Sequence, residues 1–328
     1  MAGVGVSRAF VTGAYGLLGT WLVRALLERG DAVTVLRRDE PAASPLALEG
    51  LEARCDVVTG DVTDAALVER ALGDYEVDTV FHLAAQTLVG TALRSPVPTF
   101  ETNVRGTWLL LEACRRHDVA RVVVASSDKA YGAHDELPYR EDFALQAHYP
   151  YDVSKAATDL IARSYFHAYG LPVSVTRFAN LYGGGDLNFS RLVPEAVAAA
   201  IQGRRPVIRS DGTPERDFLY VADAARAYLA IADALPGAAA GQAFNAGGGQ
   251  PHSVLEVVEL VCRAAGTDVD PDVRGAGTPA GEIDRQYVDA TRLRELTGWA
   301  PQVSLEAGLA QTVEWYRAHP EVLPPTTP

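Results

Sequence analysis

Tyr151 and Lys155 stand four residues apart, a spacing that stacks two side chains on one face of a helix. A phenol beside an ammonium suits removal of a hydroxyl proton, because the positive charge favours tyrosinate and lowers the tyrosine pKa. Taken alone, the pair fits an ordinary helix surface equally well. Upstream, Ser126-Ser127-Asp128-Lys129-Ala130-Tyr131-Gly132 sets a hydroxyl, a carboxyl and an amine side by side. The Ser127 hydroxyl can hydrogen-bond an oxygen that is becoming a carbonyl, and Asp128 and Lys129 offer an acid and a base. The plainer readings are turn chemistry for Ser127 and a solvated ion pair for the other two. A third group, Thr12-Gly13-Ala14-Tyr15-Gly16-Leu17-Leu18-Gly19, has the glycines of a turn that lets a pyrophosphate approach the backbone at a helix N-terminus.

These groups need a scaffold that brings them together, and the apolar pattern supplies one. Short apolar runs at Arg8–Val11, Ala32–Leu36, Cys55–Val58, Thr79–Leu83, Arg121–Ser126 and Val173–Arg177 read as strands. Helical spacing falls between them at Leu17–Arg29, Ala65–Leu72, Thr102–His117 and Val153–Tyr169. Such alternation predicts an α/β fold, a Rossmann-type doubly wound parallel sheet with helices on both faces. The glycine turn then joins the first strand to the first helix, the context that turns a weak glycine pattern into a dinucleotide site. The segment 126–132 leaves the carboxyl end of a strand, where ligands of open parallel sheets bind. After Phe178 the rhythm becomes irregular, with helices at Pro194–Gln202, Val221–Ala234 and Val254–Ala265 between Pro- and Gly-rich stretches. We therefore expect residues 1–178 to form the dinucleotide-binding domain, with part of 215–248 returning to it. Residues 179–214 and 249–328 would form a smaller, mostly C-terminal α/β substrate lobe, and the Pro-rich end Leu323–Pro328 should fray.

Composition narrows the function. The net charge of −13 over 328 residues argues against a nucleic-acid partner, but not against a small anion bound by local arginines. The three cysteines, Cys55, Cys114 and Cys262, have no metal-ligand spacing, so no metal is predicted, and they read as buried free thiols of a reducing, cytoplasmic compartment. No stretch is long and apolar enough for a membrane span. At the end of the second strand, Arg37-Arg38-Asp39 bears on the cofactor. A guanidinium there suits a ribose 2′-phosphate and favours NADP, whereas Asp39 reaching a ribose hydroxyl keeps NAD open. Asp61 and Val62 are candidates for the adenine pocket, with helix capping the alternative for Asp61.

Together these motifs resemble the extended short-chain dehydrogenase/reductase family, which includes NDP-sugar epimerases and dehydratases. The resemblance spans nearly the whole chain. It rests on TGxxGxxG at 12–19, Gly60-Asp61-Val62, His82-Leu83-Ala84-Ala85-Gln86, Tyr151-xxx-Lys155, Arg177 to Gly183 and Arg216 to Val221. It implies that Gly13, Tyr15, Gly16, Leu17, Leu18, Gly19, Leu83, Ala84 and Ala85 line a cofactor, with Tyr151 and Lys155 at its reactive end. Gln86, Thr87 and Asn180 would face a sugar, and Asn188, Arg191, Arg216 and Arg285 its nucleotide and diphosphate. Ser127-Asp128-Lys129 resembles CDP-glucose 4,6-dehydratases and some UDP-N-acetylglucosamine 4,6-dehydratases, the loop Tyr182–Arg191 resembles the CDP-glucose enzymes, and Arg37-Arg38 instead resembles GDP-mannose 4,6-dehydratases, which use NADP.

The implied reaction is a 4,6-dehydration. Tyr151 with Lys155 deprotonates the C4 hydroxyl as hydride leaves C4, and Ser127 holds the new carbonyl. Asp128 and Lys129 remove the C5 proton and protonate the departing C6 hydroxyl, and hydride returns to C6. An NDP-sugar 4-epimerase or an NDP-uronate decarboxylase is the alternative, and a cofactor-binding sensor is a distant third. The resemblance also implies a homodimer through the helices 102–117 and 153–169, with Trp108, Leu111 and Tyr165 at the interface.

Overall fold

A computed structural model of the chain describes residues 6–39, 43–277 and 283–325. The last three residues of the Pro-rich end, 326–328, lie outside the described residues. The strands are β1 (Arg8–Thr12), β2 (Ala32–Arg37), β3 (Asp56–Thr59), β4 (Thr79–His82), β5 (Arg121–Ala125) and β6 (Val173–Phe178), then β7 (Asn180–Tyr182), β8 (Val207–Ile208), β9 (Glu215–Tyr220), β10 (Ala243–Ala246), β11 (Pro251–Ser253), β12 (Asp272–Val273) and β13 (Arg285–Gln286). The helices are α1 (Leu17–Arg29), α2 (Pro45–Leu48), α3 (Ala65–Asp74), α4 (Val89–Arg94), α5 (Pro96–Phe100), α6 (Gly106–Arg116), α7 (Pro150–Tyr169), α8 (Leu192–Ile201), α9 (Val221–Asp233), α10 (Val254–Ala264), α11 (Thr291–Thr297) and α12 (Leu305–Ala318).

Seven strands make one parallel sheet in the order β10-β6-β5-β4-β1-β2-β3. Its central strands are apolar on both faces because both are covered, as parallel sheets require. On one face α1 and α9 contribute Leu22, Leu26, Tyr228 and Ile231 to the core. On the other, α3, α6 and α7 contribute Leu72, Leu110, Cys114 and Ala162. From β1 the chain winds outward through β2 and β3, then crosses back to β4 on the other side of β1. The crevice at the carboxyl ends of β1 and β4 is therefore the switch point at which such sheets bind ligands.

Of the 215–248 segment, α9 and β10 belong to the large sheet's layers. β9 instead joins a four-stranded sheet with β7, β11 and β13. That small sheet packs with α8, α10 and α12 around Val197, Tyr220, Val257, Val261 and Tyr316.

Two helices differ from their expected bounds. α7 starts at Pro150, because proline at the first helical position loses no hydrogen bond, and Tyr151 thereby lies in its first turn. The helix expected at Thr102 begins at Pro96 and runs through a π-helical turn at Glu101–Arg105 into α6. Such bulges recur at functional sites, and this one carries Asn103. Cys114 and Cys262 are buried free thiols and Cys55 is half-buried; burial raises the Cys55 thiol to about 11.

Candidate active site

The glycine turn is shaped by contacts that leave no room for side chains. Gly13 has φ +74°, and a Cβ there would lie 2.7 Å from the Ala84 backbone nitrogen, just past β4. A Cβ on Gly19 would lie 2.1 Å from the Gly13 carbonyl oxygen, so α1 can start against the turn only with glycine. Gly16 meets nothing nearer than 3.5 Å and caps α1 without a side-chain acceptor. The first N–H groups of α1, from Leu17 and Leu18, are thus left for a ligand, and the helix dipole favours an anion there. The turn fits a dinucleotide pyrophosphate.

A buried network joins this turn to β4 and the π-helical turn. Thr12 Oγ1 accepts from the Leu83 and Ala84 nitrogens, at 3.2 and 3.1 Å, and lies 2.8 Å from His82 Nδ1. His82 Nε2 lies 3.1 Å from Thr107 Oγ1, which donates to the Asn103 carbonyl. With Thr107's proton so spent, the imidazole carries its proton on Nε2 and accepts from Thr12 at Nδ1. Burial and the Lys155 charge push His82 down to about 3, so it stays neutral. Asn103 is the organiser that sequence reasoning missed. Its side chain accepts from Gln86 N at 2.7 Å and donates to Gln86 O at 3.1 Å and to Ser154 Oγ at 2.9 Å. It thus clamps the loop after β4 to α7, and only the helix anomaly that holds it, invisible to apolar periodicity, marks it out.

The structure brings Ser127, Asp128, Lys129, Tyr151 and Lys155 together beyond β5. Ser127 donates to Asp128 Oδ1 at 3.0 Å and accepts from Lys129 N at 3.2 Å, and its hydroxyl acts on the Tyr151 phenol. Asp128 begins a 3₁₀ turn ending at Tyr131 and is buried, with Oδ2 lacking a partner. Burial raises its pKa, against the opposing pull of Lys129, Ser127 and Arg216. Lys129 also acts on the half-buried Asp152.

The expected depression of the tyrosine does not occur in the protein by itself. Tyr151 is pushed up to about 12, because burial, Asp128 and Asp152 outweigh Arg191 and Ser127. Lys155 is itself lowered to about 8 by burial, and its Nζ donates to the Ala125 carbonyl at 2.9 Å. Desolvation thus penalises both charged forms and dominates the pair.

The catalytic turn is tied to α7 and β6 from behind. Arg177 makes a buried two-point ion pair with Asp159, at 2.7 and 3.0 Å, and donates to Tyr131 Oη at 3.0 Å. Tyr131 in turn donates to Asn245 Oδ1 at 2.8 Å. Asp217, also buried, accepts from Gly248 N at 2.7 Å and is raised to about 7 by burial, with Asp128 adding to the shift.

The other expected residues divide. Arg191 reaches the site: it pairs with Asp186 at 2.9 Å, donates to Thr87 Oγ1 at 3.2 Å, and its charge acts on Tyr151. Arg216 lies close enough for its charge to act on Asp128. Arg285 pairs with Glu215 at 2.6 Å and lines a cleft of about 570 Å³ with His134, His148, Tyr149 and Asp152. Gln86 and Asn188 are spent on local turns, with Leu88 and Ser190 respectively. Asn180 donates to the Asp217 carbonyl at 3.3 Å. Asp61 accepts from Thr63, while Asp64 caps α3. Val62 is buried against Gly106. Arg37 and Arg38, expected to favour a 2′-phosphate, are already paired with Glu52 at 3.0 Å and Asp39 at 2.6 Å.

Comparison with known proteins places this geometry. Residues 9–247 match the model of the NAD dependent epimerase/dehydratase family. The chain is 36% identical to a dTDP-glucose 4,6-dehydratase of Streptomyces griseus, covering 98% of both. The structure superimposes on that of dTDP-glucose 4,6-dehydratase from Streptomyces venezuelae with NAD bound, with TM-score 0.86, 34% identity and coverage of 96% and 98%. It also superimposes on UDP-glucose 4-epimerase from Thermotoga maritima with UDP-glucose, with TM-score 0.87, 30% identity and coverage of 95% and 99%.

Proposed function

The chain belongs to the NAD dependent epimerase/dehydratase family, and we propose that within it the protein is an NDP-sugar 4,6-dehydratase. The observation that carries this reading is Asp128: a buried carboxyl with a free oxygen, hydrogen-bonded to Ser127 and adjoining Tyr151, its pKa raised by burial. A 4-epimerase has no use for such an acid, whereas elimination must protonate a departing hydroxyl. The similar dehydratases of Streptomyces support the same reading.

A bound nicotinamide cofactor would supply the hydride acceptor for C4 and the donor for C6. Tyr151 accepts the proton of the C4 hydroxyl, helped by the buried Lys155, while Ser127 hydrogen-bonds the oxygen that becomes the ketone. The ketone acidifies the C5 hydrogen, which Lys129 removes in its neutral amine form, and a proton returns to C5 when hydride reaches C6. Asp128 delivers its proton to the C6 hydroxyl, and water leaves. Arg191 and Arg216 flank this group and suit the diphosphate, since guanidinium pairs with phosphate at two points. A dTDP-sugar is the first substrate to test, in view of the relatives' names, ahead of the CDP- and GDP-sugars suggested by the motifs. For the cofactor the reading is NAD, because Arg37 and Arg38 are already neutralised. The segments 179–214 and 249–328 would close over the nucleotide sugar.

Exposed Leu93, Val97, Trp108 and Leu160 lie on the helices α4 to α7, which supports a homodimer through this face. Leu111, expected at that interface, is instead fully buried in the subunit core.

Incubation with a panel of NDP-sugars in heavy water, read by mass spectrometry, tests the function. Loss of one water with one deuterium gained at C5 is expected. Unchanged mass with inverted C4 would make the protein an epimerase. Lys129→Ala should still oxidise C4 but eliminate slowly, and wild-type dehydration by that variant would remove Lys129 from the mechanism.

A further inference from the structure

We propose that the Glu52 carboxylate selects NAD over NADP by holding Arg37 away from a ribose 2′-phosphate. The inference rests on the dinucleotide reading of the glycine turn and is independent of which sugar is dehydrated. In sheets of this kind the residue at the carboxyl end of β2 decides which 2′ substituent is tolerated. Arg37 ends β2, and a free guanidinium there would suit a phosphate. This guanidinium is not free. Nη1 donates to Glu52 Oε1 at 3.0 Å and Nη2 to Thr59 Oγ1 at 3.3 Å.

The same Glu52 oxygen accepts the Tyr15 hydroxyl at 2.9 Å. Tyr15 belongs to the glycine turn, so Glu52 links the two elements that flank the adenosine ribose in this fold. Tyr15 has one hydroxyl proton and spends it on Glu52, which fixes the carboxylate's position. The Arg37 and Glu52 side chains are only 29% and 24% exposed, so water screens their attraction less than at an open surface. The neighbouring Arg38 is paired with Asp39. The corner thus carries two positive and two negative charges and no net attraction for a phosphate. A 2′-phosphate, with roughly two negative charges, would have to strip Arg37 from Glu52 and then sit beside the abandoned carboxylate. Like charges so placed are costly.

The test uses full-length protein stripped of cofactor, titrated calorimetrically with NAD and with NADP in the absence of sugar. Wild type is expected to bind NAD at least about tenfold more tightly than NADP. Glu52→Gln is expected to tighten NADP binding about tenfold while leaving NAD within about threefold. Adding Arg37→Ala to that variant should abolish the gain, because the freed guanidinium is the phosphate's ligand. A wild type that prefers NADP overturns both the NAD reading and the role of Glu52. An unchanged NAD-to-NADP ratio in folded Glu52→Gln overturns the role of Glu52 and leaves the NAD reading standing. Should Glu52→Gln fail to fold, Glu52→Asp, which retracts the carboxylate from Arg37, should shift the ratio about threefold in the same direction. No shift there overturns the proposal equally.

Discussion

Lys155→Met should make the protein more stable while abolishing turnover. Lys155 is 4% exposed, and burial lowers its pKa from 10.5 to about 8. That difference corresponds to about 3 kcal/mol of destabilisation when the amine is charged. The sign follows from proton counts. Between about pH 8 and 10.5 the unfolded chain binds more protons at this site, so stability rises with pH through that window. The full cost is therefore carried at pH 7. Methionine keeps the apolar stem and removes the charge, but it deprives the Ala125 carbonyl of the Nζ donor, a loss of about 1 kcal/mol. The net gain is about 2 kcal/mol. An unfolding entropy of about 0.7 kcal/mol/K for a chain of this length turns this into a Tm rise of roughly 3 °C. The assay is thermal unfolding of cofactor-stripped wild type and variant, followed by circular dichroism at pH 7 and pH 10. The gain should be present at pH 7 and nearly gone at pH 10. A variant no more stable than wild type at pH 7, or a gain of equal size at both pH values, would refute the reasoning.

Two further perturbations follow from the same geometry. Asp159→Ala leaves Arg177 charged and buried, which should cost about 3–5 kcal/mol; a urea-unfolding midpoint unchanged from wild type would show that the pair does not anchor the catalytic turn. Gly19→Ala forces a Cβ to within 2.1 Å of the Gly13 carbonyl, so the protein should lose its cofactor. Wild-type NAD content after purification would contradict the fit of the glycine turn.

The sequence by itself determined the α/β alternation, the glycine turn and the order of the reactive residues, because these depend on local rules. A parallel strand buried on both faces must be apolar along its length, as Val122–Val124 are. The turn between β1 and α1 tolerates only glycine where backbones meet, and Tyr151 and Lys155 share a face by helical spacing alone. Tertiary structure decided the rest, because charge balance and burial are sums over distant neighbours. The sequence shows two arginines at the end of β2; only the fold brings Glu52 against Arg37, 15 residues further along the chain. It shows an Asp beside a Lys; only the fold buries Asp128 near Arg216 and Asp217 and leaves one oxygen unpaired. A lysine next to a tyrosine suggests a depressed phenol, yet burial raises Tyr151 and lowers Lys155 together. Periodicity does not single out Asn103; only the π-helical turn places it against Gln86 and Ser154. Local periodicity reports which face a residue occupies, whereas the chemistry of the site depends on which charges and dipoles the fold sets around it.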